Sequence, residues 1–287
     1  MKPLDLSNLE ALPKLKLAVV GHVEWVKFIA VDHLPKAGLI SHSIKTLEMP
    51  AGGGALAAVQ MRELINEPVH FFTALGKDET GEKSYQKLKE LGLNLNIAWR
   101  EQPTRQGISF VDSKGERAIT VIGERLQPNA EDSLPWDELT SFDGIFITAG
   151  DHQLITLCRQ SDLLAITPRV GIETLKKANV QVDLLVGSGL DPGERYNPNE
   201  LSKEPKLRIL TKGASGGETW PGGKYESVEL KTQVIDSYGC GDKFAAGVTT
   251  GLAAKWGPKE AISLGAHCGA RCASYFGPYE EHPWIFS

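Results

Sequence analysis

Between residues 144 and 213 four short apolar runs, "GIFITAG" (144–150), "DLLAITP" (162–168), "DLLVGS" (183–188) and "LRILTKG" (207–213), alternate with helical stretches. Each run is bounded by Gly, Pro or Asp, and none shows the polar alternation of a strand with one wet face. Runs of this kind read as strands buried on both faces, and strands buried on both faces belong to a parallel sheet covered by helices. "LKLAVVG" (15–21) and "VHFFTALG" (69–76) extend the same sheet toward the N-terminus. The expected fold is therefore α/β and doubly wound, with a mainly parallel sheet.

Two stretches break the rhythm. Residues 22–50 hold "FIAVDHLPKAG" and "HSIKTLEMP", and residues 97–122 hold two strand-like runs on either side of the turn signal "DSKGE". Together they read as a small antiparallel β lid beside the main sheet. Near the C-terminus, "DKFAAGVTTGLAAKWG" (242–257) and "PKEAISLGAHCGARCASYFG" (258–277) read as two helices joined at Gly257-Pro258, a glycine stop followed by a proline start. Their Gly and Ala content lets them approach each other, or a ligand, closely. No fixed-period repeat or low-complexity linker divides the chain, so residues 1–287 are expected to form a single domain with the lid inside it.

Charge and patterning exclude several functions. With 31 Lys plus Arg against 36 Asp plus Glu, the net charge of −5 offers no general attraction to nucleic acid or anionic lipid. No stretch approaches the roughly 20 apolar residues of a membrane span. The opening residues carry prolines and charges where a signal peptide needs one apolar block. Four cysteines, Cys158, Cys240, Cys268 and Cys272, do not make the framework of a secreted miniprotein, and a reducing cytoplasm is the simplest assignment.

The chemistry centres on "DSYGCGDKF" (236–244). Gly239, Cys240 and Gly241 stand just before a helix, where free backbone N–H groups and the macrodipole attract anions and glycines let a phosphate come close. Asp242 then has two readings, a helix cap or a general base beside an anion hole. In "AGGGALAAVQMREL" (51–64) the span 52–57 matches the dinucleotide fingerprint G-x-G-x-x-G/A. That fingerprint needs a buried strand before it and an acidic residue about 20 positions on. Here polar "KTLEMP" precedes it, and Asp78 suits the cap of the helix "TGEKSYQKLKELG" better. Glycines such as Gly53 and Gly54, brought close to a small polar ligand at a helix start, account for the stretch. No Walker A or HExxH occurs; His267, Cys268 and Cys272 lack the CxxC pairing of a metal site, and Cys240 has no histidine near it in sequence.

These motifs together resemble the ribokinase-like (PfkB) carbohydrate kinases, in family order and over nearly the whole chain. "DSYGCGDKF" is similar to the C-terminal signature D-[ST]-x-G-A-G-D-x-F, with Cys240 where alanine is usual; "GGGALAA" stands where the di-glycine signature belongs, followed by "TALGKDETGEKSYQKLKELGL" (73–93); "ILTKGASGG" (209–217) resembles the strand and turn that help hold the nucleotide. The resemblance implies a ribokinase-like fold and ATP-dependent phosphorylation of a hydroxyl on a sugar or similar small molecule. Asp242 would be the base and the amides of Gly239, Cys240 and Gly241 the anion hole, with Thr211, Gly213, Gly216 and His267 on the nucleotide. It further implies Mg²⁺ with ATP, and K⁺ or another monovalent cation at Asp236. The usual N-x-x-E motif appears as "SGLD", which puts Asp191 near Mg²⁺ through a water. Pairing of lids into homodimers is also a family habit.

The departures lie at the sugar end. Val26 stands where many members have a substrate-binding aspartate, and Ala57 replaces the asparagine of the di-glycine signature. Glu24 could accept hydroxyl hydrogen bonds instead, and Arg105, on the lid, could reach an anionic group of the substrate. Two other functions stay open on the sequence: a non-catalytic sensor of sugar or nucleotide on the same fold, and an oxidoreductase using the glycines at 52–57.

Overall fold

The computed structural model describes residues 1–280. Along β1 (Leu17–Val20) every residue is buried, and successive side chains enter opposite cores: Leu17 and Val19 one, Ala18 and Val20 the other. That period of two is the pleat of a strand covered on both faces. Strands β2 (Glu24–Val31) and β3 (Ser43–Ala51) follow, then α1 (Gly53–Ile65), β4 (His70–Gly76), α2 (Glu79–Glu90) and β5 (Asn94–Arg100). Next come β6 (Gln106–Val111), β7 (Arg117–Ile122), β8 (Gly144–Ile147), α3 (His152–Cys158), β9 (Leu164–Ile166), α4 (Ile172–Ala178), β10 (Leu184–Ser188) and β11 (Leu207–Thr211). The described chain ends with β12 (Gly217–Trp220), β13 (Gly223–Tyr225), α5 (Cys240–Ala253) and α6 (Pro258–Cys272).

Nine strands form one sheet in the order β13-β12-β11-β10-β9-β8-β1-β4-β5. From β11 to β5 all neighbours are parallel, with Val19 beside Phe71 on one side and Phe146 on the other; β12 and β13 append an antiparallel edge. One core gathers α1, α5 and α6 against one face, and a second gathers α3 and α4 against the other. Every apolar run named from the sequence is a strand of this sheet. The two C-terminal helices begin at Cys240 and Pro258 and press together so closely that a Cβ on Gly247 would lie 2.8 Å from the Gly265 Cα.

The lid is a four-stranded sheet, β3-β2-β6-β7. Its β2–β3 and β6–β7 pairs are antiparallel, and a parallel β2–β6 pairing joins the two hairpins. Its second segment is shorter than the expected 97–122: residues 97–100 belong to β5, the edge of the main sheet, and the lid resumes at Gln106. The alternating "NLNIAWR" reads like a lid strand because an edge strand, half-exposed, carries polar residues too.

The chain order places a topological switch at β1. From it the sheet grows through β4 and β5 one way and through β8 to β11 the other. Ligands of open parallel sheets bind at the carboxyl ends of strands flanking such a switch. Here those ends carry His22 and Glu24 after β1, Arg169 after β9, Asp191 and Glu194 after β10, and Gly213 after β11.

Candidate active site

Helix α5 starts on Gly239, which takes the left-handed φ of +78° and would drive a Cβ to 2.7 Å from the Leu56 Cδ1. Only glycine meets both conditions without strain. No side chain caps the helix. Its first-turn amides therefore lack the usual polar partner and carry the positive end of the helix dipole. Asp242 lies inside the first turn and does not cap it, which removes the reading of this residue as a plain helix cap.

Asp242 faces the start of α1. A Cβ built on Gly53 would lie 2.7 Å from the Asp242 Oδ1 and 3.6 Å from the His22 Cε1, so the two helix starts and the turn after β1 meet at one point. Burial raises the Asp242 carboxyl from 3.8 to about 6; Arg169 opposes the rise, Glu194 adds to it, and Arg117 and Glu24 act more weakly. The group is thus poised to hold or release a proton near neutral pH. His22, 5% exposed, is pushed down to about 3 by burial first and then by Arg125, Arg105 and Arg169, and is neutral.

Glu24 and Arg105, singled out separately in the sequence, meet here. The Arg105 Nε lies 3.3 Å from the Glu24 Oε1, and Glu24 is 8% exposed at the start of β2. Burial raises the Glu24 carboxyl, while Arg105, Arg169 and Arg125 pull it down. The backbone around Arg105 is pinned: the Thr104 N–H and hydroxyl donate to Asp78, the cap of α2, at 2.7 and 2.8 Å, and the Trp25 N–H donates to the Arg105 carbonyl at 2.9 Å. Arg169 hydrogen-bonds the buried Glu194 and lies 3.5 Å from Asp191. Glu194 also accepts from the Ser188 N–H at 2.9 Å. Arg125, after β7, donates to the Arg169 carbonyl at 3.2 and 3.3 Å.

On the other side of the α5 start lies a cavity of about 530 Å³. Its wall includes Thr211, Gly213 and Gly216 from the turn after β11, Cys240 and Gly241, and Ala266, Gly269 and Ala270 of α6. Tyr225 and Phe244 stack in its lining with ring centroids 5.7 Å apart. The lid reaches this point through its hairpin: Arg117 donates to the Ser237 carbonyl, and at 3.2 Å to its hydroxyl, while Gln233 donates to the Ser113 carbonyl at 3.0 Å.

Several expected residues are placed differently. His267 turns away from the cavity and its Nε2 lies 2.9 Å from the Leu4 carbonyl; it is the neighbouring small residues that line the wall. Gly54 faces backbone, where a Cβ would come within 2.8 Å of the His22 carbonyl, and serves the close packing of α1 on the β1 turn. Asp191 caps a short turn through the Gly193 N–H at 2.8 Å and is about half exposed; of the two carboxylates at this turn, Glu194 is the one whose charge bears on Asp242. The Cys240 thiol is raised by its hydrogen bond with Cys272 and by burial, so it stays protonated and is no nucleophile. Asp236, 1% exposed, accepts from the Tyr238 and Gly277 N–H groups at 2.9 and 3.0 Å. The glycines at 52–57 follow β3, a lid strand, and lack the main-sheet strand a dinucleotide fold requires. His22, Arg117, Arg125, Arg169 and Glu194 join the site without having been singled out. Of these only His22, two residues before Glu24, had a local signal.

Comparison with known proteins agrees with this architecture. The sequence model of the pfkB family carbohydrate kinases matches residues 14–187 and 194–285. The chain is 24% identical to a ribokinase of Arabidopsis thaliana, covering 93% of this chain and 78% of that protein. It is 23% identical to an ATP-dependent ribose-1-phosphate kinase of Halopiger xanaduensis, covering 92% and 93% of the two. Its fold is similar to that of the Arabidopsis thaliana ribokinase complexed with ribose and ATP, with a TM-score of 0.71 at 16% identity over 92% of this chain and 94% of the other. Among the described residues no helix is long and apolar enough to cross a membrane.

Proposed function

The chain belongs to the pfkB family of carbohydrate kinases, and from that premise we propose that it transfers the γ-phosphate of ATP to a hydroxyl of a sugar or related small molecule, with Asp242 as the general base. The observation that carries this reading is the position of Asp242 in the first turn of α5, next to two residues of the cavity wall, Cys240 and Gly241, and against Gly53 beside His22. The cavity lined by Tyr225 and Phe244 shares no residue with the Glu24–Arg105 pair and His22, and Asp242 is close to both groups.

ATP enters the cavity. Ala266, Ala270 and Ala273 with the stacked Tyr225 and Phe244 give a base an apolar wall, and the turn at Thr211, Gly213 and Gly216 leads toward the first turn of α5. The amides of Gly239, Cys240 and Gly241 then meet the γ-phosphate and stabilise the charge that spreads over it during transfer. From the other side the acceptor hydroxyl approaches Asp242, whose carboxylate takes the proton as the oxygen attacks. Positioned general-base help of this kind contributes about 10²–10⁴-fold. Glu24 and Gly53 contact the acceptor, Glu24 as a hydrogen-bond acceptor and Gly53 by leaving room.

Mg²⁺ suits the hard oxygen donors here. With ATP bound, the ion would be held by its phosphates, with one protein carboxylate reached through water. The half-exposed Asp191 would be that carboxylate, and the ion would neutralise charge on the β- and γ-phosphates. Asp236 fits a monovalent cation such as K⁺: it is a buried carboxylate, raised by burial, with two amide donors and no described cationic side chain within ion-pair distance. A buried charge left in that condition is costly unless compensated. The exposed Ile119, Val121 and Ile122 on the edge strand β7 suit pairing of two lids in a homodimer, and four cysteines without a disulfide suit a reducing cytoplasm.

The test is ADP release measured with ATP and Mg²⁺ against a panel of sugars, nucleosides and sugar phosphates. Acceptor-dependent release that Asp242→Asn reduces by orders of magnitude, with ATP affinity unchanged, is the expected result. Tight ATP binding with no acceptor-dependent release would instead leave a sensor on a kinase fold.

A further inference from the structure

The side of Asp242 away from the nucleotide cavity is rich in guanidinium groups. Arg105, Arg125 and Arg169 come from three separate loops, after β5, β7 and β9, and all three bear electrostatically on the buried His22 and Glu24. The described lining of the nucleotide cavity, by contrast, holds no lysine or arginine. The cations are therefore not arranged around the space that ATP fills.

Nor are they fully matched by the protein. Arg169 has Glu194. Arg105 lies 3.3 Å from the Glu24 Oε1, yet its buried Nε–H has no hydrogen-bond partner. No described carboxylate forms an ion pair with Arg125; its guanidinium donates to a carbonyl of another arginine, and burial first, then the like charges of Arg105 and Arg169, lower its pKa, with only Glu24 acting the other way. The His22 side chain, 6% exposed, leaves Nδ1 without a partner at the same place. Guanidinium forks held together against their own repulsion match the oxygens of a phosphate, which accepts bidentate hydrogen bonds and carries close to two charges.

We propose, resting on the kinase reading, that the acceptor is a phosphorylated sugar or polyol whose existing phosphate is held by Arg105 and Arg125, with Arg169 between it and Asp242. A hydroxyl on the same molecule is then the one presented to Asp242. The acceptor is distinguished from its neutral parent by charge, and from a sugar acid by the second negative charge.

The test reads binding apart from turnover. With a non-hydrolysable ATP analogue filling the nucleotide cavity, calorimetry compares pentose and hexose monophosphates with their neutral sugars and with the corresponding sugar acids, at fixed ionic strength. The expected result is at least tenfold tighter binding of one or more monophosphates than of the neutral parent. In Arg125→Ala that preference is lost while affinity for the ATP analogue stays within about twofold. Arg125→Gln, which keeps bulk and a donor for the Arg169 carbonyl but removes the charge, guards against a folding defect and should lose the preference too. A panel in which no monophosphate binds better than its neutral parent, a sugar acid preferred over the monophosphate, or a preference undiminished in both variants would overturn the proposal. Preferential binding of a monophosphate without ADP release from ATP would count against the kinase reading and leave the anion site standing.

Discussion

The Asp242 carboxylate occupies the space where a side chain on Gly53 would begin: a Cβ there would lie 2.7 Å from the Asp242 Oδ1. The nearest backbone is not the obstacle. The atom in the way is the tip of a side chain, which can turn aside, so Gly53→Ala should fold and displace the carboxylate. Misplacing a reacting group by about 1 Å can cost roughly 10²-fold in rate. A fall in kcat of about that size with an unchanged circular dichroism spectrum is expected, and wild-type kcat in the alanine variant would show that Asp242 is not where the chemistry happens.

Asp242 should also set the pH profile. A base raised from 3.8 to about 6 is deprotonated above that pH, so kcat should rise through about pH 6 and level off. Stability runs the other way. Between those two values the folded chain keeps a proton that the unfolded chain has released, so the stabilising effect is full below 3.8 and is lost as pH rises through about 6. Asp242→Asn removes that loss and should raise the stability at pH 7.5 by on the order of 1–3 kcal/mol while abolishing turnover. A lowered melting temperature at pH 7.5 would contradict the assignment.

Much of this arrangement is legible in the sequence, for a physical reason that also explains the rest. Strands covered on both faces leave uninterrupted apolar runs, and a glycine-lined helix start is a contiguous signal, so β1, β4, β8 to β11 and the residues 239–242 stand out. The β12–β13 hairpin and β5 lie at the sheet edges, where short or polar-alternating strands look like loops or lid. Arg125 and Arg169 come from separate loops and meet only because the sheet order brings the lid over β9. Glu194 was hidden behind Asp191, which fits the motif spacing. The turn at Pro192–Glu194 carries the later carboxylate inward, where it is 6% exposed, and leaves the earlier one at the surface. Sequence spacing alone does not contain that turn.

The lid should be held shut partly by Arg117. Its guanidinium bonds Ser237 one residue after Asp236, and the hairpin around Gly115 packs on Val234, so these contacts tie the lid to the signature loop. Arg117→Ala removes hydrogen bonds to an exposed pair of oxygens, each worth about 0.5–1.5 kcal/mol, which is enough to loosen the hairpin without unfolding the sheet below it. Faster proteolysis within residues 112–116 and a several-fold higher acceptor KM are expected. Equal cleavage rates in variant and wild type would mean that other contacts hold the lid.

The nucleotide cavity can be tested without touching the acceptor side. Ala270 lies on α6 in the cavity wall, half-buried, and a tyrosine in its place would project an aromatic ring into about 530 Å³ of space. The cavity is near the middle of the usual range for small-molecule sites, about 300–1,000 Å³, so one ring removes much of the room a base needs. No core contact has to be broken, because the added atoms point into space. Ala270→Tyr should therefore keep its melting temperature while the KM for ATP rises at least tenfold, about 1.4 kcal/mol, with sugar binding unaffected. An unchanged ATP KM together with a wild-type melting temperature would place the nucleotide somewhere other than between α6 and the turn after β11.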